Sequence, residues 1–299
     1  MVAISVVIPA YNSHATLGAV LDSLLSQKAG LHEIIVADSS DDPAALAQLA
    51  AYAARGVKVV ALPVRTPPGL ARNAGAAAAT GELLAFVDSD AVPVPGWAAR
   101  LAELHALGYR VGGGALRVPP SQSRLAIAQG QMFLEFNEFT DTGVLRAVRF
   151  TPSANMFCKR ELFNELGGFP GLRASEDVLF GLKVSERQPF WFDPALVVEH
   201  LFRTSPRAMA DNLRLLGEYV RHYRGDRAKG RFPFRSPWPA IIWPALITAK
   251  GLRICWRVLK TRRMDLWRGF LIGLPWFIAG LWYFGRGFAA GEHRKNSGG

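Results

Sequence analysis

In the segment GELLAFVDSDAVP an apolar run ends on two aspartates one residue apart, Asp88 and Asp90. Extended backbone points side chains i and i+2 the same way, so the pair can offer two carboxylates as a hard oxygen site for a divalent cation. Asp38 closes a second apolar run, EIIVA, in the same manner. Ser175-Glu176-Asp177 opens an apolar stretch of helical composition, with acids where a helix first turn favours them. His200 follows the apolar run of VVEH. Each pattern has a plainer counterpart: a turn-capping Asp88 beside a solvated Asp90, acids that only steady a helix start, a structural histidine. For an isolated Asp-x-Asp the plainer counterpart is the commoner one. The elements that carry these residues have to decide.

Short β-branched runs at 4–8, 33–37, 57–61, 83–87 and 110–116 predict strands. Helical stretches at 16–26, 43–54, 69–79 and 95–107 separate most of them. This alternation predicts an α/β fold with a largely parallel sheet covered on both faces. Such sheets bind ligands outside the carboxyl ends of their strands, where Asp38, Asp88 and Asp90 fall. Beyond Pro119 the alternation lapses into a helix at 122–139, a strand at 144–150, a short helix at 159–166, a helix after Ser175 and strands within 190–199.

The 299-residue chain carries a net charge of +11, unevenly spread: 19 of its 35 Lys and Arg but only 5 of its 24 Asp and Glu lie beyond residue 200. That last third interleaves cations with Trp, Phe and aliphatic runs, which suits a membrane surface better than a nucleic acid, and no nucleic-acid partner is expected. The segment 269–285 is uncharged, lies between Arg268 and Arg286, and predicts membrane contact, with a buried core helix as its plainer counterpart. The segment 238–252 contains Pro239, Pro244 and Lys250, which make it short for a span. The connector between them is strongly basic, so the positive-inside rule keeps it cytosolic and argues against a simple two-span hairpin. Cys158 and Cys255 are too isolated for a disulfide framework or a Cys-x-x-Cys metal site, and reduced thiols are expected.

Five stretches in order resemble glycosyltransferase family 2: ISVVIPAYN with LDSLLSQ, EIIVADSSDD, GLARNAGAAAATGELLAFVDSDAVP, ANMFCKRELFNELGGF, and SEDVLFGLKV. The resemblance spans about residues 3–205 and implies a GT-A fold, a Rossmann-like, mostly parallel sheet covered by helices, followed by a C-terminal helical membrane-associated region. It implies a catalytic domain over 1–205, a basic helical linker over 206–237, and hydrophobic helices with a basic tail over 238–299. The implied activity is inverting, metal-dependent transfer of one sugar from a nucleotide diphosphate sugar, UDP-type favoured, to a hydroxyl of a lipid-linked or membrane-proximal glycan. The QxxRW motif of the family's processive synthases is absent after His200, which favours single addition.

Carried onto this chain, the resemblance implies that Pro9, Ala10 and Tyr11 line the base and that Asp38 accepts from a uracil-type imide N–H. Members commonly have two acids at that turn, where this chain has Ala37-Asp38. Arg72 is expected near the diphosphate or ribose, Asp88 at the ribose, and Asp90 on Mg²⁺ or Mn²⁺ with His200 as a further ligand. Asp177 is the expected base, kept ionised by the helix dipole, with Glu176 in support. Asn155 and Trp191 are expected on the acceptor side, and Arg203 as a phosphate clamp. The expected location is the cytoplasmic face of a membrane. A non-catalytic nucleotide-sugar-binding membrane scaffold is the competing expectation. A nicotinamide-dependent oxidoreductase is disfavoured, because SVVIPAYNSHATLG stands where G-x-G-x-x-G would be needed.

Overall fold

A computed structural model describes residues 2–228 and 238–290. The part of the expected linker at 229–237 and the expected basic tail at 291–299 lie outside the described residues. The strands are β1 (Ile4–Ala10), β2 (Glu33–Asp38), β3 (Lys58–Ala61), β4 (Leu83–Val87), β5 (Ala91–Pro93), β6 (Val111–Arg117), β7 (Arg146–Val148), β8 (Asn155–Lys159) and β9 (Phe190–His200). The α-helices are α1 (His14–Ser26), α2 (Pro43–Ala53), α3 (Pro68–Ala77), α4 (Trp97–Ala106), α5 (Ala126–Phe136), α6 (Arg160–Glu165), α7 (Glu176–Ser185), α8 (Pro206–Ala228), α9 (Trp238–Lys260) and α10 (Met264–Ala290).

Two units result. Met1–Arg117 and Phe139–Leu201 form one, Val118–Glu138 and Phe202–Gly299 the other. The sequence expectation had run 1–205 together, whereas residues 118–138 group with the C-terminal helices.

The first unit holds a nine-stranded sheet in the order β3-β2-β1-β4-β8-β6-β9-β5, with β7 paired to β9. Only part of it is parallel. β3, β2, β1 and β4 run together, but β8 returns antiparallel between β4 and β6, and β5 and β7 run antiparallel to β9. The largely parallel sheet expected from the sequence is therefore mixed. β1 and β4 are buried almost throughout, as strands covered on both faces must be, which explains their unbroken apolar runs. The register pairs Ala10 with Asp38, so β1 and β2 end level at one edge, and β4 ends beside them at Val87.

Aromatic packing then brings α7 to that edge. Phe86 of β4 meets Phe169 at 5.1 Å between ring centroids, and Phe169 meets Phe180 of α7 at 4.9 Å. Asn73 of α3 pins the intervening turn, donating to the Phe169 carbonyl and accepting from its N–H, both at 2.9 Å. Gly75 lets α3 sit on the sheet, since a Cβ there would come within 2.5 Å of Val7 Cγ1.

The second unit is helical. α5, α8, α9 and α10 share a core of Phe133, Leu213, Ile254, Val258 and Phe277. Gly269, Gly273, Gly280 and Gly287, spaced by four and seven residues, form a seam along α10 that meets Gln129 and Gly130 of α5 and Arg214 of α8. Both hydrophobic segments are continuous helices despite Pro244 and Pro275. No described helix is long and apolar enough to cross a membrane.

Candidate active site

Where β4 stops, the chain turns at Asp88–Asp90 and β5 lies back against the end of β9. Ala91 pairs with His200, and the Leu201 N–H donates to the Asp90 carbonyl at 2.7 Å. His200 Nε2 thereby lies 3.5 Å from Asp90 Oδ1. Asp88, Asp90 and His200 each offer one ligand atom within 4.8 Å of the other two, with His200 buried and both carboxylates half-buried. Two carboxylate oxygens and an imidazole nitrogen, converging at this spacing, fit a divalent cation such as Mn²⁺ or Mg²⁺. Ser89, between the acids, donates to Ser13 Oγ at 3.0 Å and ties the turn to the end of the β1 loop.

Arg72 of α3 is only 2% exposed. Its Nη1 donates to Glu176 Oε1 at 2.7 Å, and its Nη2 is bonded to Asp88 Oδ1. Burial alone would lower the affinity of this guanidinium for its proton, but the Asp88 and Glu176 carboxylates outweigh burial and push the pKa up. The group stays charged. With both Nη atoms taken by carboxylates, Arg72 joins the Asp88–Asp90 turn to the start of α7.

Asp177 follows Glu176 in the first turn of α7. Its Oδ2 accepts from the Ser153 N–H at 3.2 Å and its Oδ1 from the Val178 N–H at 2.7 Å. Burial first, and the Glu176 carboxylate second, push its pKa up to about 7, while Arg72 and the two N–H groups pull against them. The dipole argument from sequence pointed to a fully ionised acid. Burial and a like charge outweigh the dipole and leave the pKa of this carboxyl near neutrality. Ser175 does not cap the helix with its side chain. It sits instead at φ 64°, a left-handed conformation costly for a residue other than glycine, and this bend delivers both acids to Arg72.

At the far side of the same edge, Asp38 ends β2 and is buried. Ser40 Oγ donates to its Oδ1 at 2.6 Å and itself accepts from the Asn12 N–H at 2.8 Å, so the hydroxyl proton is aimed at Asp38. Tyr11 carries the Arg65 guanidinium 4.4 Å above its ring, next to Asp41, which the Asn12 amide holds below the usual carboxylate range. Pro9 and Ala10 are the last residues of β1 beside this group. The edge of one sheet therefore presents an acceptor and a flat aromatic at one end, three groups that could hold a cation in the middle, and buried Glu176 with half-buried Asp177 beyond.

Residues 5–167, more than half of the chain, match the family described as Glycosyl transferase family 2. The chain belongs to that family. Pre-mycofactocin glycosyltransferase of Mycobacterium tuberculosis is 28% identical over 215 residues, 68% of this chain and 44% of the relative. Succinoglycan biosynthesis protein ExoO of Rhizobium meliloti is 36% identical over 100 residues, 33% of this chain and 29% of the relative. The chain thus spans less than half the length of these curated relatives. Among solved structures, the mannosyltransferase PcManGT of Pyrobaculum calidifontis with GDP-Man and Mn²⁺ superposes with a TM-score of 0.59, at 20% identity, over 95% of this chain and 87% of that one. GalNAc-T7 with UDP, GalNAc and Mn²⁺ gives 0.56, at 19% identity, over 78% of this chain and 52% of that one. These similarities establish a GT-A-like fold.

Two residues expected on the acceptor side have other surroundings. Asn155 is fully buried; it accepts from Trp97 Nε1 at 2.9 Å and donates to the carbonyls of Ala115 and Leu196. Its polar groups thus hold β6, β8 and β9 together and leave nothing for an acceptor. Trp191 stands at the start of β9 against Tyr109, at the opposite end of that strand from His200. Within the second unit, the Arg203 carbonyl accepts from Gln131 Nε2 at 2.7 Å. Conversely, Ser40, Asn12 and Arg65 were missed. Asn12 and Ser40 stand within the stretches ISVVIPAYN and EIIVADSSDD, whereas a lone arginine in LPVRTPP carries no sequence signal.

Proposed function

We propose that this protein is an inverting, cation-dependent glycosyltransferase that moves one sugar from a nucleotide diphosphate sugar to a hydroxyl of a lipid-linked or membrane-proximal glycan at the cytoplasmic face of a membrane. The observation that carries the reading is the Asp88–Asp90–His200 cluster joined through one buried arginine to Glu176 and Asp177. A divalent cation held by Asp88, Asp90 and His200 would neutralise charge growing on the departing nucleoside diphosphate. Asp177 takes the proton of the acceptor hydroxyl as its oxygen bonds to the anomeric carbon. The electron pair of the breaking anomeric C–O bond leaves with the diphosphate. Attack opposite the leaving group inverts the anomeric centre. GalNAc-T7 and PcManGT, both solved with Mn²⁺, support the cation part of this reading.

The test is release of nucleoside diphosphate from a panel of UDP-, GDP- and dTDP-sugars with Mg²⁺ or Mn²⁺ and a membrane extract as acceptor. No release from any donor overturns the proposal. Asp90→Ala is expected to lower kcat/KM by about 100-fold or more and to abolish stimulation by added cation. Retained stimulation would place the cation elsewhere.

Donor choice follows from Asp38. Ser40 already takes an acceptor position on Oδ1, which leaves Oδ2 the better placed to receive a single N–H, as in the imide of uracil or thymine. Guanine presents two adjacent donors and needs both oxygens. UDP-sugars should therefore be preferred. Ser40→Ala frees the second oxygen and is expected to narrow the UDP-over-GDP preference in kcat/KM by about ten-fold, since paired hydrogen bonds to a base edge discriminate on that scale. An unchanged ratio removes Asp38 as the reader of the base.

A further inference from the structure

We propose that α9 and α10 form an in-plane membrane-binding surface that inserts two outward apolar stripes into an anionic leaflet without crossing it. Ten of the sixteen large apolar side chains exposed among the described residues lie between Trp238 and Trp282. On α9, Leu252, Trp256 and Leu259 follow one another at intervals of four and three. On α10, Leu271, Ile278 and Trp282 follow at seven and four. These intervals put each set on one helix face. The six are between 48% and 67% exposed. The opposite faces are apolar too, since Ile254, Val258 and Phe277 are buried in the helical core. A helix apolar on both sides belongs in a surrounding other than water, and a contiguous exposed apolar surface marks an interaction site.

Charge selects the occupant. Arg253, Lys260, Arg262 and Arg268 are exposed around the stripes, and Lys260 lies 4.9 Å above the Trp256 ring. Asp265 is the sole acid from 238 to 290, and Arg263 holds it through two hydrogen bonds. A second copy of the chain would bring like charges together. Anionic headgroups above an acyl layer accept cations and tryptophans at once, with lysine and arginine stems lying along the boundary. The absence of a spanning helix among the described residues agrees with a surface that lies in the leaflet. This inference extends the membrane-proximal part of the proposed function, but its test uses no donor or acceptor, so its failure leaves the transfer chemistry untouched and the reverse.

The full chain would be sedimented with vesicles of phosphatidylcholine alone or with added phosphatidylglycerol. Binding about ten-fold tighter or more to the anionic vesicles, weakening as salt rises, is expected. Lys260→Gln with Arg268→Gln should erase most of that preference, and Trp256→Ser with Trp282→Ser should lower partitioning by about 100-fold. Tryptophan fluorescence should be quenched more by lipids brominated near the headgroup than near the chain ends, and less in the Trp256→Phe, Trp282→Phe protein. The wild-type quenching profile decides the matter even if a variant fails to fold. No vesicle binding at low salt, deepest quenching at the bilayer centre, or a vesicle-independent dimer dissociated by the tryptophan changes would each overturn the proposal.

Discussion

Asp177→Asn is expected to lower kcat by about 1,000-fold while leaving the KM for donor unchanged, because a positioned general base contributes on that scale and the change removes only the proton acceptor. The amide keeps the size of the side chain and one oxygen, which can accept from Val178 N–H or Ser153 N–H in place of the two carboxylate oxygens that now serve them. In the wild type, kcat should rise with pH through an acid limb near 7, set by burial and by Glu176. The substitution should flatten that limb. A stability readout accompanies it. The Asp177 carboxyl has a folded pKa above its unfolded value, so folding favours its protonated form, and stability falls as pH rises from about 4 until the group is ionised above about 7. The variant should therefore melt higher than the wild type at pH 8, by a margin that shrinks toward pH 5. Unchanged turnover would favour the competing view of a nucleotide-sugar-binding scaffold.

The parallel half of the sheet and its acidic edge are legible in the sequence, because both depend on local pattern. Apolar runs that end abruptly on Asp38 and Asp88 mark buried strands meeting a polar cleft. The other half is not legible. β8 slots antiparallel between β4 and β6 through pairings such as Val87 with Asn155, which join residues far apart in the chain. The three glycines of β6 hint at close approach without naming the partner: a Cβ at Gly114 would lie 1.8 Å from the Leu196 carbonyl oxygen. Nor does composition assign 118–138 to the helical unit. Asn155 is an amide at a strand start, as fit for a ligand as for a scaffold until Trp97 and Leu196 are seen to use it.

Arg72 shows the same limit most clearly, and its replacement carries the other large expected effect. From sequence it is a cation on a helix after a proline pair. In the fold it is a buried cation facing Asp88, Glu176 and Asp177, because Phe169 and Phe180 draw the start of α7 onto Phe86. Arg72→Leu removes that charge and strands its partners, so it should cost about 3–5 kcal/mol of folding stability, the scale for breaking a buried ion pair from one side. That is a large part of the usual margin of a domain, and a lowered urea midpoint measures it. Arg72→Lys keeps a charge but cannot fork between Asp88 and Glu176. This protein should fold, turn over more slowly, and show its acid limb at higher pH than the wild type, because Arg72 holds the proton affinity of Asp177 down. A limb unmoved by Arg72→Lys would mean that the guanidinium serves packing alone. A limb that climbs would show that the guanidinium, which also binds Asp88 and Glu176, holds down the proton affinity of Asp177.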